Sequence, residues 1–255
     1  MREKNSRTRT NRAKLTGRIK VVKVFGLGGI GAPVAQAMAQ FLSFQPGGPC
    51  SLWLIDGDHY EERNRERVLF EIYDNKAVAK AQELTRACDG RVTIFPVPEY
   101  VTPRNVHRLI EEGDTIFLCV DNHASRRLVS NRCRRLRNVV LFSSGNDGVE
   151  QAKGQAGTYG NVQVYIRQSG HDVTHPLTRF HPEIAHPQDK RPDELGCAAL
   201  VQAAPQLLFT NLAVASTMLG AFYAWMQGTL DCEEIYLDIA SGRAVPVKRE
   251  VRGKQ

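Results

Sequence analysis

Apolar positions along this chain come in short β-branched runs, each followed by a longer stretch with helical spacing. Residues 19–25 form the first run, ended by glycines, and residues 32–42 read as a helix with Pro33 tolerated in its first turn. The alternation continues with a strand at 51–55 after a Pro-Gly-Gly-Pro loop and a helix at 75–88. Residues 92–101 contain a strand interrupted by two prolines. A helix at 106–112, a strand at 115–120, a strongly basic helix at 124–136 and a strand at 139–143 complete the series. Strand and helix alternating over this length imply a doubly wound parallel sheet.

Beyond residue 143 the pattern changes. Residues 162–166 alternate like an antiparallel strand, and 234–238 with 244–247 read as a terminal hairpin. The expected fold is therefore α/β, a Rossmann-like doubly wound sheet that is parallel in its N-terminal part and antiparallel in its C-terminal strands. Between them, residues 168–196 show no period and hold four prolines and four histidines. A patternless loop of that length inside a compact domain is usually functional or mobile, and a mobile crossover loop is expected. Residues 207–226 carry no charge and are long enough to span a bilayer. Thr210, Asn211, Ser216 and Thr217 interrupt them, and no apolar companion exists, so burial against a sheet or a partner subunit is expected rather than membrane insertion.

At 255 residues and 42% apolar content the chain can bury a real core. A net charge of +7 points to nucleic acid until it is located. Residues 1–20 hold eight Lys/Arg and one Glu, and the rest carries 26 basic and 26 acidic groups. The expected layout is a basic arm at 1–18 and one domain at 19–250. The arm reads as a solvated segment; reaching a neighbouring site's phosphates, or non-specific nucleic-acid contact, are sharper alternatives. The balance of the remainder argues against nucleic acid as a partner of the fold. Cys50, Cys88, Cys119, Cys133, Cys197 and Cys232 stand singly, without a CxxC pair. That spacing argues against structural zinc and suits a reducing compartment. The first residues lack the apolar run of a secretory signal, and a cytoplasmic location is expected.

The turn Gly26-Leu27-Gly28-Gly29-Ile30-Gly31 follows a strand and precedes a helix, the context in which G-x-G-x-x-G cradles phosphates. Its glycines let backbone approach the ligand, and the helix N-terminus offers oriented N–H groups. A tight turn that only packs helix on sheet is the alternative. Asp56 ends the second strand, where a carboxylate accepts ribose hydroxyls, with a capping role as the alternative. Asp58 suits a local turn nearly as well. Residues 61–67, Glu-Glu-Arg-Asn-Arg-Glu-Arg, read in isolation as a solvated, salt-bridged surface.

The order of the polar residues changes that reading. Asp56-Gly57-Asp58 is followed by Asn64, Arg67 and Lys80, and later by Val120-Asp121-Asn122-His123-Ala124-Ser125-Arg126. This succession resembles the ubiquitin-activating-enzyme superfamily that includes ThiF and MoeB. That family's pattern is D-x-D, N-L-x-R-Q, a lysine, and D-N-x-x-x-R. Here Arg65 replaces the usual Leu and Val68 the usual Gln. The resemblance runs from about residue 20 to 248, and Gly196-Cys197 with the helix after it is most similar to the ThiF-family proteins of PRTRC plasmid cassettes.

The resemblance implies ATP- and magnesium-dependent adenylation of a carboxylate. Gly26, Gly28, Gly29, Gly31, Asp56, Asp58 and Asn64 would bind the nucleotide. Arg67 and Lys80 would hold the phosphates, and Asp121 would approach the magnesium ion. It further implies a ubiquitin-like protein as substrate, thioester formation on Cys197 with a small buried packing residue as the alternative there, a homodimer, and a conjugating-enzyme-like acceptor. The arm, through Arg7, Arg9 or Arg12, would reach the partner's phosphates. Arg126 and Arg127 read instead as a basic helical face. His171, His175, His181 and His186 read as solvent-exposed loop residues, since Pro176, Pro182 and Pro187 each directly follow one of them. Three rivals remain at this level. An NAD-dependent oxidoreductase shares the glycines and Asp56 but gives no reason for Arg67, Lys80 and Asp121 together. Activation of a tRNA carboxylate, and a plasmid-maintenance scaffold, both lean on the arm.

Overall fold

The computed structural model describes residues 19–45, 50–150, 152, 154–194 and 205–249. The basic arm and Cys197 lie outside the described residues. Strands β1 (Val21–Phe25), β2 (Ser51–Ile55), β3 (Thr93–Val97), β4 (Thr115–Leu118) and β5 (Val139–Asn146) pair in parallel in the order β3-β2-β1-β4-β5. Helices α1 (Gly31–Ser43), α2 (Lys76–Ala87), α3 (Val106–Leu109) and α4 (His123–Cys133) alternate with them. A small hairpin, β6 (Val149–Glu150) with β7 (Gln155–Ala156), leads into β8 (Tyr159–Gln168). β8 continues the sheet antiparallel to β5, and β10 (Cys232–Asp238) and β11 (Arg243–Lys248) extend it as a hairpin. A short β9 (His171–Asp172) folds back on β8, which makes nine strands in one sheet.

Residue alternation along the strands explains why both faces are covered. Val22, Val24 and Phe117 join one core with Val34 and Met38 of α1, Leu84 of α2, and Met218 and Phe222 of the long helix α6 (Leu208–Met226). Phe25, Ile116 and Leu118 face the other side, against Leu109 of α3 and Val129 and Cys133 of α4. Pro96 sits within β3, which is acceptable because β3 ends the sheet and its outer edge needs no donor. Helix α3 is shorter than its apolar spacing predicts.

α6 is a core helix on one side. Thr210 Oγ1 donates to the Gly157 carbonyl at 2.7 Å, and Asn211 Oδ1 accepts from Asn146 Nδ2 at 2.7 Å. Those polar residues are the ones that interrupted its apolar run. The helix is long and apolar enough to cross a membrane by length and composition, yet here it lies on β5, β8 and α1, with Leu208, Phe209, Leu212 and Tyr223 exposed.

The crossover segment departs from expectation. It holds a one-turn helix α5 (Pro182–Ala185) and a 3-10 turn at Pro192–Glu194, and through residue 194 it is docked rather than patternless. His181 lies between Glu234 on β10 (Nε2–Oε1, 2.9 Å) and Glu183 (Nδ1–Oε1, 2.7 Å), and His175 Nδ1 meets Glu233 at 2.9 Å. Both side chains are nearly buried, which corrects their reading as solvent-exposed. The physical reason is that Glu233 and Glu234 are themselves buried and need partners. Asp189 completes the docking by accepting the N–H groups of His123 and Ala124 at the start of α4.

Candidate active site

The chain runs to opposite sides of the sheet from β1 and from β4, and the crevice at that reversal is where open α/β sheets bind ligands. A cleft of about 610 Å³ opens there, at the carboxyl ends of β1, β2 and β4. Three backbone bonds set its floor: Gly26 N–H to Ile55 O at 2.9 Å, Cys119 N–H to Phe25 O at 2.8 Å, and Asp56 N–H to Val97 O at 3.1 Å.

Gly26 has φ of +81°, and a side chain there would meet the Cys119 carbonyl oxygen at 2.9 Å. Gly31 permits the closest approach, since a Cβ would overlap the Gly26 carbonyl oxygen. Gly28 opens onto free space, and Gly29 backs onto the Asn211 amide, whose Nδ2 has no hydrogen-bond partner among the described residues. α1 begins here with no side-chain cap and no acidic residue in its first turn. The Ala32 N–H donates to the Gly28 carbonyl at 3.1 Å and Pro33 has none, so the helix offers an anion chiefly its positive end.

Asp56 is buried and both its oxygens are engaged. Oδ2 accepts the Leu27 N–H of the glycine turn at 2.6 Å, and Oδ1 accepts the Asp58 N–H at 2.8 Å. Burial pushes its carboxyl up to about 6, against the opposing charge of Lys76. A carboxylate has about four acceptor positions, so two remain for a ligand. Asp58 takes the hydroxyl of Tyr100 on Oδ1 and the ammonium of Lys76 on Oδ2, the latter at 2.9 Å. Burial raises Asp58, but the charge of Lys76 and these hydrogen bonds outweigh it and hold the carboxyl below its ordinary value.

Asn64 is buried in a 3-10 turn (Glu62–Asn64), its Oδ1 accepting the Glu61 N–H at 3.0 Å in a reciprocal cap. With half-buried Arg67 and exposed Asp121 it lines the cleft. The cleft thus brings together Gly26, Gly28, Gly29, Asp56, Asp58, Asn64, Arg67 and Asp121, while Gly31 does not line it and packs on the Gly26 carbonyl instead. Lys80 is not among its lining residues. Its ammonium donates to Glu83 and, at 3.3 Å, to the Leu69 carbonyl, and lies 4.3 Å from the centre of the Phe70 ring.

Several lining residues carried no signal in the sequence. Lys76, one helical turn before Lys80, faces the cleft instead. Tyr100 closes over Gly57, where a Cβ would come within 2.5 Å of the ring. Arg126 is buried, contrary to its reading as part of a basic face, whereas Arg127 is exposed. The Arg126 guanidinium donates to the Val120 carbonyl at 2.9 and 3.1 Å and lies over Gly145, whose missing side chain makes the space. Cys119 also lines the cleft, and burial pushes its thiol up to about 12, so it is a packing group. No three His, Cys, Asp or Glu among the described residues come together as a metal cage.

A doubly wound sheet with a glycine turn, an uncapped helix and a strand-end aspartate at its switch point defines a nucleotide-binding α/β protein. The ThiF family model matches residues 12–234, and the chain belongs to the ThiF family. It is 30% identical over 139 residues to the adenylyltransferase and sulfurtransferase uba4 of Aspergillus clavatus, a match covering 51% of this chain and 27% of that protein. It is likewise 30% identical over 116 residues to the SAMP-activating enzyme E1 of Haloferax volcanii, covering 44% and 41%. The chain thus spans well under half the length of these relatives. Among solved structures, E. coli MccB with AMPCPP and MccA superposes with a TM-score of 0.65 at 16% identity, covering 95% of this chain and 68% of that one. At that identity the likeness establishes the fold.

Proposed function

We propose that this ThiF-family chain is an ATP-dependent adenylyltransferase that activates the C-terminal carboxylate of a ubiquitin-like protein. The observation that carries the reading is one cleft, at the reversal of the sheet, shared by the glycine turn, Asp56, Asn64, Arg67 and Asp121. The relatives named as an adenylyltransferase and as a SAMP-activating enzyme support the reaction class. A carboxylate oxygen attacks the α-phosphorus, the new O–P bond forms, and the bond to the bridging oxygen breaks. Pyrophosphate leaves with the electron pair. Charge building on it needs fixed cations, which Arg67 supplies from the cleft wall. Lys80 serves the same oxygens only after leaving Glu83 and the Leu69 carbonyl.

Magnesium arrives with the nucleotide in this reading. Asp121 is an exposed carboxylate with no hydrogen bond to another described residue, and one protein carboxylate plus phosphate oxygens suits that ion. When bound there, it would offset charge on the departing pyrophosphate. We further propose that the Cys197 thiolate attacks the acyl carbon of the adenylate, forming a thioester as AMP leaves, together with a homodimer that covers the exposed Phe209, Leu212 and Tyr223 of α6 and a cytoplasmic setting of the PRTRC plasmid type.

ATP–pyrophosphate exchange with candidate small proteins ending in glycine tests the reaction. Exchange that requires the protein substrate, and that falls by about a hundredfold in Arg67→Ala and Asp121→Asn, supports it. Exchange driven by tRNA instead redirects the substrate class, and tight NADH binding without any exchange overturns the reaction. A thiol-sensitive adduct absent from Cys197→Ser tests the transfer step.

A further inference from the structure

The start of α2 is stitched to the strand-end turn that carries the two aspartates. Asn75 caps the helix through Oδ1, accepting from Ala77 N–H at 2.9 Å, while its Nδ2 donates to the Asp56 carbonyl at 2.9 Å and the Asp58 carbonyl at 3.0 Å. The Lys76 N–H donates to the Asp58 carbonyl at 2.9 Å, and the Lys76 ammonium reaches Asp58 Oδ2 at 2.9 Å. Tyr100 holds the other Asp58 oxygen. The Asp58 N–H is in turn one of the two donors that orient Asp56.

We propose that Lys76 is a positioning residue of the nucleotide site, fixing Asp58 so that the Asp56 carboxylate keeps two acceptor positions aimed at the ribose hydroxyls. The inference rests on the reading that this cleft binds ATP. Lys76 lines the cleft with its side chain only 9% exposed, while that of Asp58 is 45% exposed. Without the ammonium, two acidic groups two residues apart repel each other, and Tyr100 alone holds the Asp58 carboxylate. The Asp58 N–H then leaves Asp56, and the carboxylate rotates off the sugar. The charged and titratable groups around the clamp are Asp56, Asp58, Lys76, Tyr100 and, more remotely, Arg63 and Asp121. Lys76 is thus argued to act on sugar recognition through Asp58, and not on the phosphates.

The test compares ATP with 2′,3′-dideoxy-ATP by isothermal titration calorimetry on the full chain. The two ligands share phosphates and base and differ only in the hydroxyls. Wild type is expected to prefer ATP by about tenfold or more, since hydrogen bonds to a charged acceptor are strong. In Lys76→Met the preference falls to about threefold or less, mainly through weaker ATP binding, and Lys76→Arg restores it. Asp58→Asn and the double variant Asp58→Asn/Lys76→Met are expected to show the same preference as each other, because Lys76 has nothing to hold once Asp58 is neutral. The double variant removes both ends of the Lys76–Asp58 ion pair, so it keeps the test open if Lys76→Met folds poorly. An unchanged preference in Lys76→Met overturns the proposal, as does an equal loss for both ligands, which places Lys76 on the phosphates or in the fold alone. Wild type that binds neither ligand overturns the nucleotide reading itself.

Discussion

Replacing glycines of one motif by alanine is expected to give opposite outcomes at two positions. At Gly31 an added Cβ overlaps the Gly26 carbonyl oxygen and lies 2.9 Å from the Gly26 carbonyl carbon and 3.1 Å from Cys119 Cβ. The first two neighbours are backbone pinned by the Gly26 N–H to Ile55 bond, so they cannot swing aside as a side-chain tip does. Overpacking of this kind costs roughly 1–3 kcal/mol where the surroundings yield, and the rigid neighbours here put Gly31→Ala at about 3 kcal/mol or beyond. At Gly28 nothing lies within 4 Å of the added Cβ. Gly28→Ala is therefore expected to stay within about 0.5 kcal/mol of wild-type stability, while the new methyl keeps phosphates off the turn. Its ATP affinity should drop about tenfold or more, a loss near 1.4 kcal/mol. Urea unfolding and calorimetric ATP titration on both variants measure the pair. A wild-type urea midpoint for Gly31→Ala would refute the packing argument, and wild-type ATP affinity in Gly28→Ala would refute phosphate contact by this turn.

Three further outcomes follow from buried charges. The Asp56 carboxyl is raised from 3.8 to about 6, so its stabilising contribution is complete below 3.8 and is lost as pH rises through 6. Relative to Asp56→Asn, wild type should lose about 2 kcal/mol between pH 4 and 7 in urea unfolding, and parallel stability curves contradict the buried ionisation. The hydrogen bond to Glu234 raises His181, with Glu183 adding to it against burial, so its contribution is complete below its ordinary value and lost as pH rises past the raised one. His181→Gln should lower Tm clearly at pH 6 and less at pH 9; an equal loss at both refutes an ionic role. Lys23 pairs with Asp114 at 2.7 Å deep in the sheet, and Lys23→Met should cost about 3 kcal/mol or more by stranding that carboxylate. Recovery in Lys23→Met/Asp114→Leu checks the cause.

Much of the site was visible before folding because its signals are local. Gly26 through Gly31 announce themselves by position between a strand and a helix, and Asp56 by ending the next strand. Asn64, Arg67 and Asp121 were read through the resemblance to the family's ordered pattern, and all three line the cleft. Lys76 and Lys80 show where that kind of evidence stops. They are four residues apart on α2, hence on nearly the same face but displaced by about 6 Å along the axis. Which ammonium meets the cleft depends on where the helix start abuts the Asp56–Asp58 turn, and the Asn75 bonds to that turn put Lys76 there.

The sequence alone determined the alternation of strands and helices, the switch from parallel to antiparallel pairing, and the presence of a glycine turn between a strand and a helix. These rest on period and on residues a few positions apart. Only the tertiary structure decided that Arg126 is buried over Gly145, that Tyr100 and Lys76 divide Asp58 between them, and that His175 and His181 dock the crossover segment on Glu233 and Glu234. Each of those contacts joins residues at least 18 positions apart in sequence. Burial and pairing set their energies, and neither quantity exists until the sheet brings the partners together.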